Sequence, residues 1–221
     1  SQHDGRTQVM DSTHTTAIHP TARISPSAEI DPGAAVGADT SIWQLAHVRS
    51  GAQVGPGCVV GRGGDIGPDG RVGANCKIQN YALIYEPAHL GDGVFIGPAV
   101  VLTNDQYPRA INPDGSHKSA DDWDLVGVTI DEGASIGARA VCVAPVRIGA
   151  WAMVAAGAVV IHDVPAHALI AGTPGRRIGW VGRSGRRLVN AGEGSWLCPI
   201  SGEEYREEGD ALLPVGAHRE P

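Results

Sequence analysis

Residues 36–78 read VGADTSIWQLAHVRSGAQVGPGCVVGRGGDIGPDGRVGANCKI, and a branched aliphatic residue recurs in them at every sixth position. The same register extends in both directions and is occupied only by Ile, Val or Leu: Ile18, Ile24, Ile30, Val36, Ile42, Val48, Val54, Val60, Ile66, Val72, Ile78, Ile84, Leu90, Ile96 and Leu102. Four residues after most of them comes a small residue such as Ala34 or Cys58. The period resumes at Ile130 and continues to Val160.

A period of six matches neither an α-helix nor a plain alternating strand, whose periods are 3.6 and 2.0. It fits a short strand followed by a bend. The aliphatic side chain points into the coil, and the small residue lets the chain turn past its neighbours. Stacked coils then pair their strands in parallel at a spacing of about 4.8 Å, and each layer buries its aliphatic residues on the next. The sequence therefore predicts an all-β, parallel β-helix.

Composition supports this fold and limits the partners. The chain is 42% hydrophobic but only 5% aromatic, and it contains 31 Gly and 15 Pro. So many turn-forming residues argue against a helical bundle. The formal net charge of −7 argues against a nucleic-acid partner, because phosphate binding favours a basic surface. The sequence contains no apolar run of membrane-spanning length and no signal-peptide pattern, so we expect no membrane partner.

The four cysteines are Cys58, Cys76, Cys142 and Cys198. They are far apart and form no C-x-x-C pair, so we interpret those in the repeats as small buried hydrophobic residues. No disulfide framework is implied, which fits a reducing compartment. A cytoplasmic protein is expected.

The repeat defines three regions. The polar, aperiodic residues 1–17 are expected to be disordered, 18–171 to form the β-helix, and 172–221 to form a C-terminal tail. An extended loop, 103–129, interrupts the repeat. Long insertions in a compact repeat are usually functional or disordered, and this one carries Asn104, Asp105 and Arg109. The alternative is that the loop is a solvent-exposed insertion without a function.

The end of the repeat has features of a binding site for a phosphorylated, extended molecule. Arg176 and Arg177 lie in a Gly- and Pro-rich turn, and a guanidinium fork suits phosphate. Ala155, Ala156 and Gly157 offer backbone amides flanked by small side chains, as a pantetheine arm would need. The alternative for the two arginines is that they are solvated charges of the tail.

Three segments give the chain a resemblance to a known family: KIQNYALIYE (77–86), TNDQYPRA (103–110), and 133–180, which ends in DVPAHALIAGTPGRRIGW. Together they resemble the hexapeptide-repeat acyltransferases that acetylate the amine of a nucleotide-linked sugar. The resemblance covers about 18–180. It implies a left-handed β-helix of about seven coils, with three hexads per triangular coil, and a homotrimer whose active sites lie between subunits.

The same resemblance implies a reaction. Acetyl-CoA is the expected co-substrate, and the acceptor is the amine of a UDP- or dTDP-linked amino sugar, in particular a 3-amino deoxysugar. In the family an Asn of the I-Q-N segment lies near the thioester sulfur, and Asn80 holds that position here. The family often has a second Asn next, where this chain has Tyr81. The alternative for Asn80 is a stacking role at a turn of the β-helix.

Acyl transfer needs a neutral amine and a hydrogen-bond donor for the oxyanion. A sugar amine is expected to titrate near an α-amino group, at about 7.7–8.0, so an Asn, which cannot act as a base, is compatible with this chemistry. The remaining candidates for contacts with the substrate are Tyr85, Glu86, Asn104, Asp105 and Arg109. No histidine lies in a diagnostic motif.

The tail departs from the relatives with dTDP-sugars, many of which carry a small zinc ribbon. Three of the four ligand positions are occupied here by Gly182, Ser184 and Ser201, and only Cys198 remains. Because a structural zinc site needs four ligands, we predict a degenerate, metal-free hairpin. Its small core is expected to include Trp180, Trp196 and Leu197, and the chain as a whole is expected to need no metal.

Other functions remain open at this stage. A hexapeptide acyltransferase with a hydroxyl acceptor or a longer acyl donor would need a basic His within reach of the thioester. A zinc-dependent hydratase shares the β-helix but needs three clustered His ligands, and the His positions do not fall in matching turns. A catalytically inactive β-helix scaffold is the third alternative.

Overall fold

Short strands form at each hexad and stack into a prism. A computed structural model describes residues 16–216, so the expected disorder of 1–17 falls almost wholly outside the described residues. The first fifteen strands are β1 (Ala17–Ile18), β2 (Arg23–Ile24), β3 (Glu29–Ile30), β4 (Ala35–Val36), β5 (Ser41–Ile42), β6 (His47–Val48), β7 (Gln53–Val54), β8 (Val59–Val60), β9 (Asp65–Ile66), β10 (Arg71–Val72), β11 (Lys77–Ile78), β12 (Leu83–Ile84), β13 (His89–Leu90), β14 (Phe95–Ile96) and β15 (Val101–Leu102). The later strands are β16 (Val128–Ile130), β17 (Ser135–Ile136), β18 (Val141–Cys142), β19 (Val146–Ile148), β20 (Met153–Val154), β21 (Val159–Val160), β22 (Ala168–Ala171), β23 (Arg176–Trp180), β24 (Val189–Gly192), β25 (Ser195–Leu197), β26 (Glu204–Glu208) and β27 (Ala211–Pro214).

Every third strand stacks in parallel on the same face. Face 1 contains β1, β4, β7, β10, β13, β16 and β19; face 2 contains β2, β5, β8, β11, β14, β17 and β20; face 3 contains β3, β6, β9, β12, β15, β18 and β21. The register is fixed by the repeat, because Val72 pairs with Val54 below and with Leu90 above. Three hexads therefore make one triangular coil, and the predicted seven coils are confirmed.

The repeated aliphatic residues fill the prism, as predicted. Leu90 and Ile96 are fully buried, and the small positions Ala34 and Cys58 lie inside with them. The first coil is the exception, since Ile18 is 43% exposed. It has no coil beneath it, so its aliphatic residue covers the end of the prism only in part.

The corners explain why Gly so often follows the aliphatic position. A Cβ on Gly55 would lie 2.6 Å from the carbonyl oxygen of Gly73 in the next coil, which is a backbone clash. We call the bend between faces 2 and 3 the 2/3 corner, and the bend between face 3 and the next face 1 the 3/1 corner. These two corners carry the candidate site residues.

The long loop leaves from the 3/1 corner after Leu102, and the β-helix resumes at Val128 without losing register. It is two residues shorter than expected, because the buried Val128 already belongs to β16. Within the loop a 3-10 turn, Ala120–Asp122, is capped by Ser119, whose backbone N–H donates to Asp122 Oδ2 over 2.7 Å.

The C-terminal tail caps the last coil. Strand β22 extends face 2 in parallel, β23 pairs antiparallel with β22, and β24 to β27 form a separate four-stranded antiparallel sheet. Trp180 is fully buried, and its indole N–H donates to Glu207 Oε1 over 2.6 Å; Trp196 donates to the same oxygen over 3.1 Å. The Trp180 bond to Glu207 joins the cap to the sheet, and the Trp196 bond lies within the sheet.

The expected core of the tail was wrong at Leu197, which is 37% exposed. Leu197 pairs with Glu204, so the register places both side chains on the solvent face, and the neighbouring Tyr205 turns inward instead. All four cysteines are buried, as predicted for the three in the repeats. Among residues 16–216 no three His, Cys, Asp or Glu side chains are arranged to hold a metal ion, and no helix is long and apolar enough to cross a bilayer.

Candidate active site

Asn80 lies at the 2/3 corner of the fourth coil, just after β11. Its Oδ1 accepts a hydrogen bond of 3.0 Å from the backbone N–H of Arg62 in the coil below. Because a backbone N–H can only donate, this bond fixes the orientation of the amide. The stacking role considered for Asn80 is therefore present, and it leaves the Nδ2 donors without a partner among the described residues.

Tyr81 occupies a left-handed backbone position at the same corner, with φ of 59°. Asn tolerates this conformation better than Tyr does. The ring of Tyr81 compensates by packing over Gly63, where an added Cβ would lie 2.5 Å from the ring, and its hydroxyl accepts from Arg62 Nε over 3.0 Å. Tyr81 thus anchors the Arg62 guanidinium beside Asn80.

The predicted pantetheine wall lies on the same corner as Asn80. Ala155, Ala156 and Gly157 follow β20, which is three strands above β11 on face 2, or about 14 Å along the axis. Pro98 and Ala138 occupy the corner between them. The amide of Ala155 already donates to Ile170 and that of Gly157 to Ala138. Only the Ala156 amide of these three has no acceptor within the described chain.

Arg176 and Arg177 lie in β23, which pairs with β22 above β20, so their backbone is two strands above the Ala155 segment. Strand β23 crosses the top of the prism, and both arginines line a cavity of about 280 Å³ together with His162 and Asp163. The guanidinium carbon of Arg177 is 4.1 Å from the ring centroid of Trp180, a cation–π contact. Arg176 donates to the carbonyl of the adjacent Gly175. Ala155, Ala156 and Gly157 do not line this cavity.

The predicted substrate residues gather at the 3/1 corner. Tyr85 and Glu86 follow β12, and Asn104, Asp105 and Arg109 lie in the loop that leaves this corner one coil above. Oε2 of Glu86 is buried and has no hydrogen-bond partner within residues 16–216. Asp105 Oδ1 accepts from the backbone N–H of Tyr107 over 2.8 Å. Tyr85 and Glu86 therefore share this corner with the start of the loop, and face 3 separates the corner from Asn80 within one protomer.

The sign of the surface charge differs between corners. Face 2 and the 2/3 corner contain no Asp or Glu in any coil, across residues 23–28, 41–46, 59–64, 77–82, 95–100, 135–140 and 153–158. The same segments carry Arg23, Arg62, Lys77 and Arg139. In a chain of net charge −7 this is a local surface for anions. The net charge of the sequence hides this surface, because it appears only when the charged residues are sorted by their position in the coil.

Face 3 carries an apolar stripe. The outward-facing residues of β12, β15, β18 and β21 are Leu83, Val101, Val141 and Val159, all half-buried. The outward-facing residues of face 1 in the middle coils are polar by contrast, as at Gln53, Arg71 and His89. Contiguous exposed apolar surface of this kind is typical of contact sites.

Comparison with known proteins agrees with the repeat. Residues 69–104 match the family model for bacterial transferase hexapeptide (six repeats). Serine acetyltransferase 4 of Arabidopsis thaliana is 37% identical over 92 residues, covering 41% of this chain and 25% of that protein. The 2,3,4,5-tetrahydropyridine-2,6-dicarboxylate N-acetyltransferase of Staphylococcus aureus is 39% identical over 88 residues, covering 40% and 31%. The chain thus spans about a quarter to a third of the length of these curated relatives.

A solved structure shares the fold. A variant of AntD, an N-acyltransferase from Bacillus cereus in complex with dTDP-4-amino-4,6-dideoxyglucose and coenzyme A, superposes with a TM-score of 0.52 at 17% identity. The superposition covers 76% of this chain and 85% of that chain. The chain is therefore a parallel β-helix of stacked hexads, and its residues 69–104 match the hexapeptide family model.

Proposed function

We propose that the protein is an N-acetyltransferase that moves an acetyl group from acetyl-CoA to the amine of a UDP- or dTDP-linked amino sugar, in particular a 3-amino deoxysugar. The acid-free 2/3 corner carries the proposal, because both substrates are phosphorylated anions and Asn80 presents a free amide there. The curated relatives that match this chain are acetyltransferases. The AntD variant was crystallised with a nucleotide-linked amino sugar and coenzyme A.

Acetyl transfer to a neutral amine does not require a strong general base. The neutral amine attacks the thioester carbonyl carbon, a C–N bond forms, and the carbonyl oxygen becomes an oxyanion that needs a donor. The C–S bond then breaks, and the thiolate takes up the proton that the ammonium loses. Nδ2 of Asn80 is the donor at this corner. The free Ala156 N–H lies about 14 Å higher on the same wall, where it would contact the arm of coenzyme A and not the oxyanion. The 2/3 corner contains no His, which favours an amine acceptor over a hydroxyl.

A homotrimer would complete the site. One protomer keeps Asn80 and the loop residues on opposite corners of face 3. The apolar stripe of face 3 suits contact with a second copy, and a cyclic arrangement would bring the 3/1 corner of one subunit to the 2/3 corner of the next. The buried Glu86 Oε2, which lacks a partner in one chain, would then find one in the ligand or the neighbouring subunit.

A substrate panel tests the proposal. The protein is incubated with acetyl-CoA and, separately, with UDP- and dTDP-linked sugars that carry an amine at C3 or C4, and thiol release is followed. We expect release only with amino sugars, and a product heavier by one acetyl group at nitrogen by mass spectrometry. Matched sugars with a hydroxyl in place of the amine serve as controls. Release with the hydroxyl sugars, or none with any amine, would contradict the proposal.

A further inference from the structure

A groove of about 350 Å³ runs along the 2/3 corner directly below Asn80. It is lined by Trp43, Gln44, Val59, Gly61, Arg62, Gln79 and Asn80. Trp43 is 49% exposed in a chain with only five tryptophans, and it follows β5, two coils below Asn80, or about 10 Å along the axis. An aromatic ring left half in solvent beside a groove is suited to stacking against another flat ring.

The middle of the groove is formed by an oriented cation. Arg62 Nε donates to the Tyr81 hydroxyl over 3.0 Å, which fixes the plane of the guanidinium. Its two terminal nitrogens have no partner among the described residues. A pre-oriented guanidinium with free donors is the arrangement that recognises phosphate oxygens through paired hydrogen bonds.

From this geometry we propose that the groove binds the nucleoside diphosphate of the acceptor, with the base stacked on Trp43, the diphosphate on Arg62, and the sugar amine delivered to Asn80. The inference rests on the proposed function and adds the position and orientation of the acceptor. The order of the three residues along the corner matches the order of base, diphosphate and sugar in a nucleotide-linked sugar. Coenzyme A then approaches from the opposite end, along Pro98, Ala138 and Ala156.

The surrounding charges agree with a dianionic ligand. Arg23 and Lys77 lie on the adjoining face 2, and no acid lies on that face or corner. Face 3 of the coil that contains Arg62 carries Asp65. Asp65 is engaged by His47, which lies 3.7 Å from it and 2.8 Å from Asp31. The cations of the corner are therefore not neutralised by carboxylates of the same coils.

The groove also has a group that reads a base edge. The side-chain amide of Gln44 lines the groove next to Trp43, and it has no hydrogen-bond partner among the described residues. This amide offers a donor and an acceptor side by side, which complements the N–H and C=O edge of uracil, thymine or guanine. Stacking supplies affinity, and Gln44 supplies the preference among bases. Gln79 lies two coils above Trp43, at the sugar end of the groove beside Asn80.

Nucleotide binding by the full-length protein tests the inference. Titration calorimetry measures the Kd of UDP, dTDP, GDP and inorganic pyrophosphate without acetyl-CoA. We expect one nucleoside diphosphate to bind more tightly than pyrophosphate. Trp43→Ala should weaken it about 5- to 100-fold, the range for lost base stacking, while Trp43→Phe retains most of the affinity. Arg62→Ala should weaken the nucleotide and pyrophosphate alike, and Arg71→Ala on face 1 should change neither.

Every other outcome counts against the inference. Absence of nucleotide binding, or equal affinities for wild type and Trp43→Ala, overturns it. Light scattering is run on each variant, and loss of the oligomer in Trp43→Ala would make Trp43 a subunit contact and overturn the inference too. Failure of the proposed function looks different: nucleotide binding would still follow Trp43 and Arg62, but no amino sugar would release thiol from acetyl-CoA.

Discussion

Replacing Asn80 with aspartate is expected to lower kcat by about 10²- to 10³-fold at saturating acetyl-CoA, the loss typical of one oxyanion donor. The substitution is nearly isosteric. Aspartate keeps an oxygen to accept from the backbone N–H of Arg62, so the bond between coils survives, while the Nδ2 donor disappears. Thiol release with an active amino sugar measures kcat, and urea unfolding measures stability.

The alanine variant is the matched control for structure. Asn80→Ala removes the donor and the acceptor together, so it should lose activity like Asn80→Asp. It should also lose about 1 kcal/mol of stability, because the Arg62 N–H is left without its acceptor. If Asn80 had only a structural role, Asn80→Asp would be both as stable and as active as the wild type. That result would remove Asn80 from the mechanism.

Leu90→Ala should destabilise the protein by about 2–5 kcal/mol, the cost of a large-to-small change in a packed core. Leu90 is 1% exposed in the middle of the prism, where neighbouring coils hold the cavity open. Its neighbour in β13, His89, points outward on polar face 1. His89→Ala should therefore shift stability by no more than about 0.5 kcal/mol. Chemical denaturation of the two variants gives the comparison, and equal losses would contradict the inside–outside assignment of the hexad.

The fold could be predicted because its period is short and its positions are strict. Ile78 faces inward and Lys77 faces outward, and the equivalent positions of the other hexads follow the same rule. The position of a residue within its hexad therefore determines its burial, and the length of three hexads determines which strands stack. Even the loop was visible as a loss of phase after Leu102. Leu197 was misassigned because the tail has no such period, and a strand's two faces depend on a register that only the paired strand sets.

The site was harder to predict, because its residues lie at corners of the prism, and their order in the sequence does not show which of them share a corner. Asn80 and Ala156 occupy the same position of the hexad and lie on the same 2/3 corner. The inserted loop between them changes their spacing in the sequence, so this equivalence is not visible from residue numbers. Glu86 is only six residues from Asn80 yet lies on the next corner. Trp43 and Arg62 belong to no motif. Their relation to Asn80 appears only when each coil is stacked on the one below, 18 residues at a time.

Subunit mixing tests most directly the central claim that each active site combines the 2/3 corner of one copy with the loop of another. Asn80→Ala and Asp105→Ala chains, each expected to be inactive alone, are co-expressed with different tags, and mixed trimers are isolated. In a cyclic trimer that contains both chains, one of the three clefts pairs two intact halves, so about one third of wild-type kcat should return. Mixed trimers that remain as inactive as either parent would contradict the shared site.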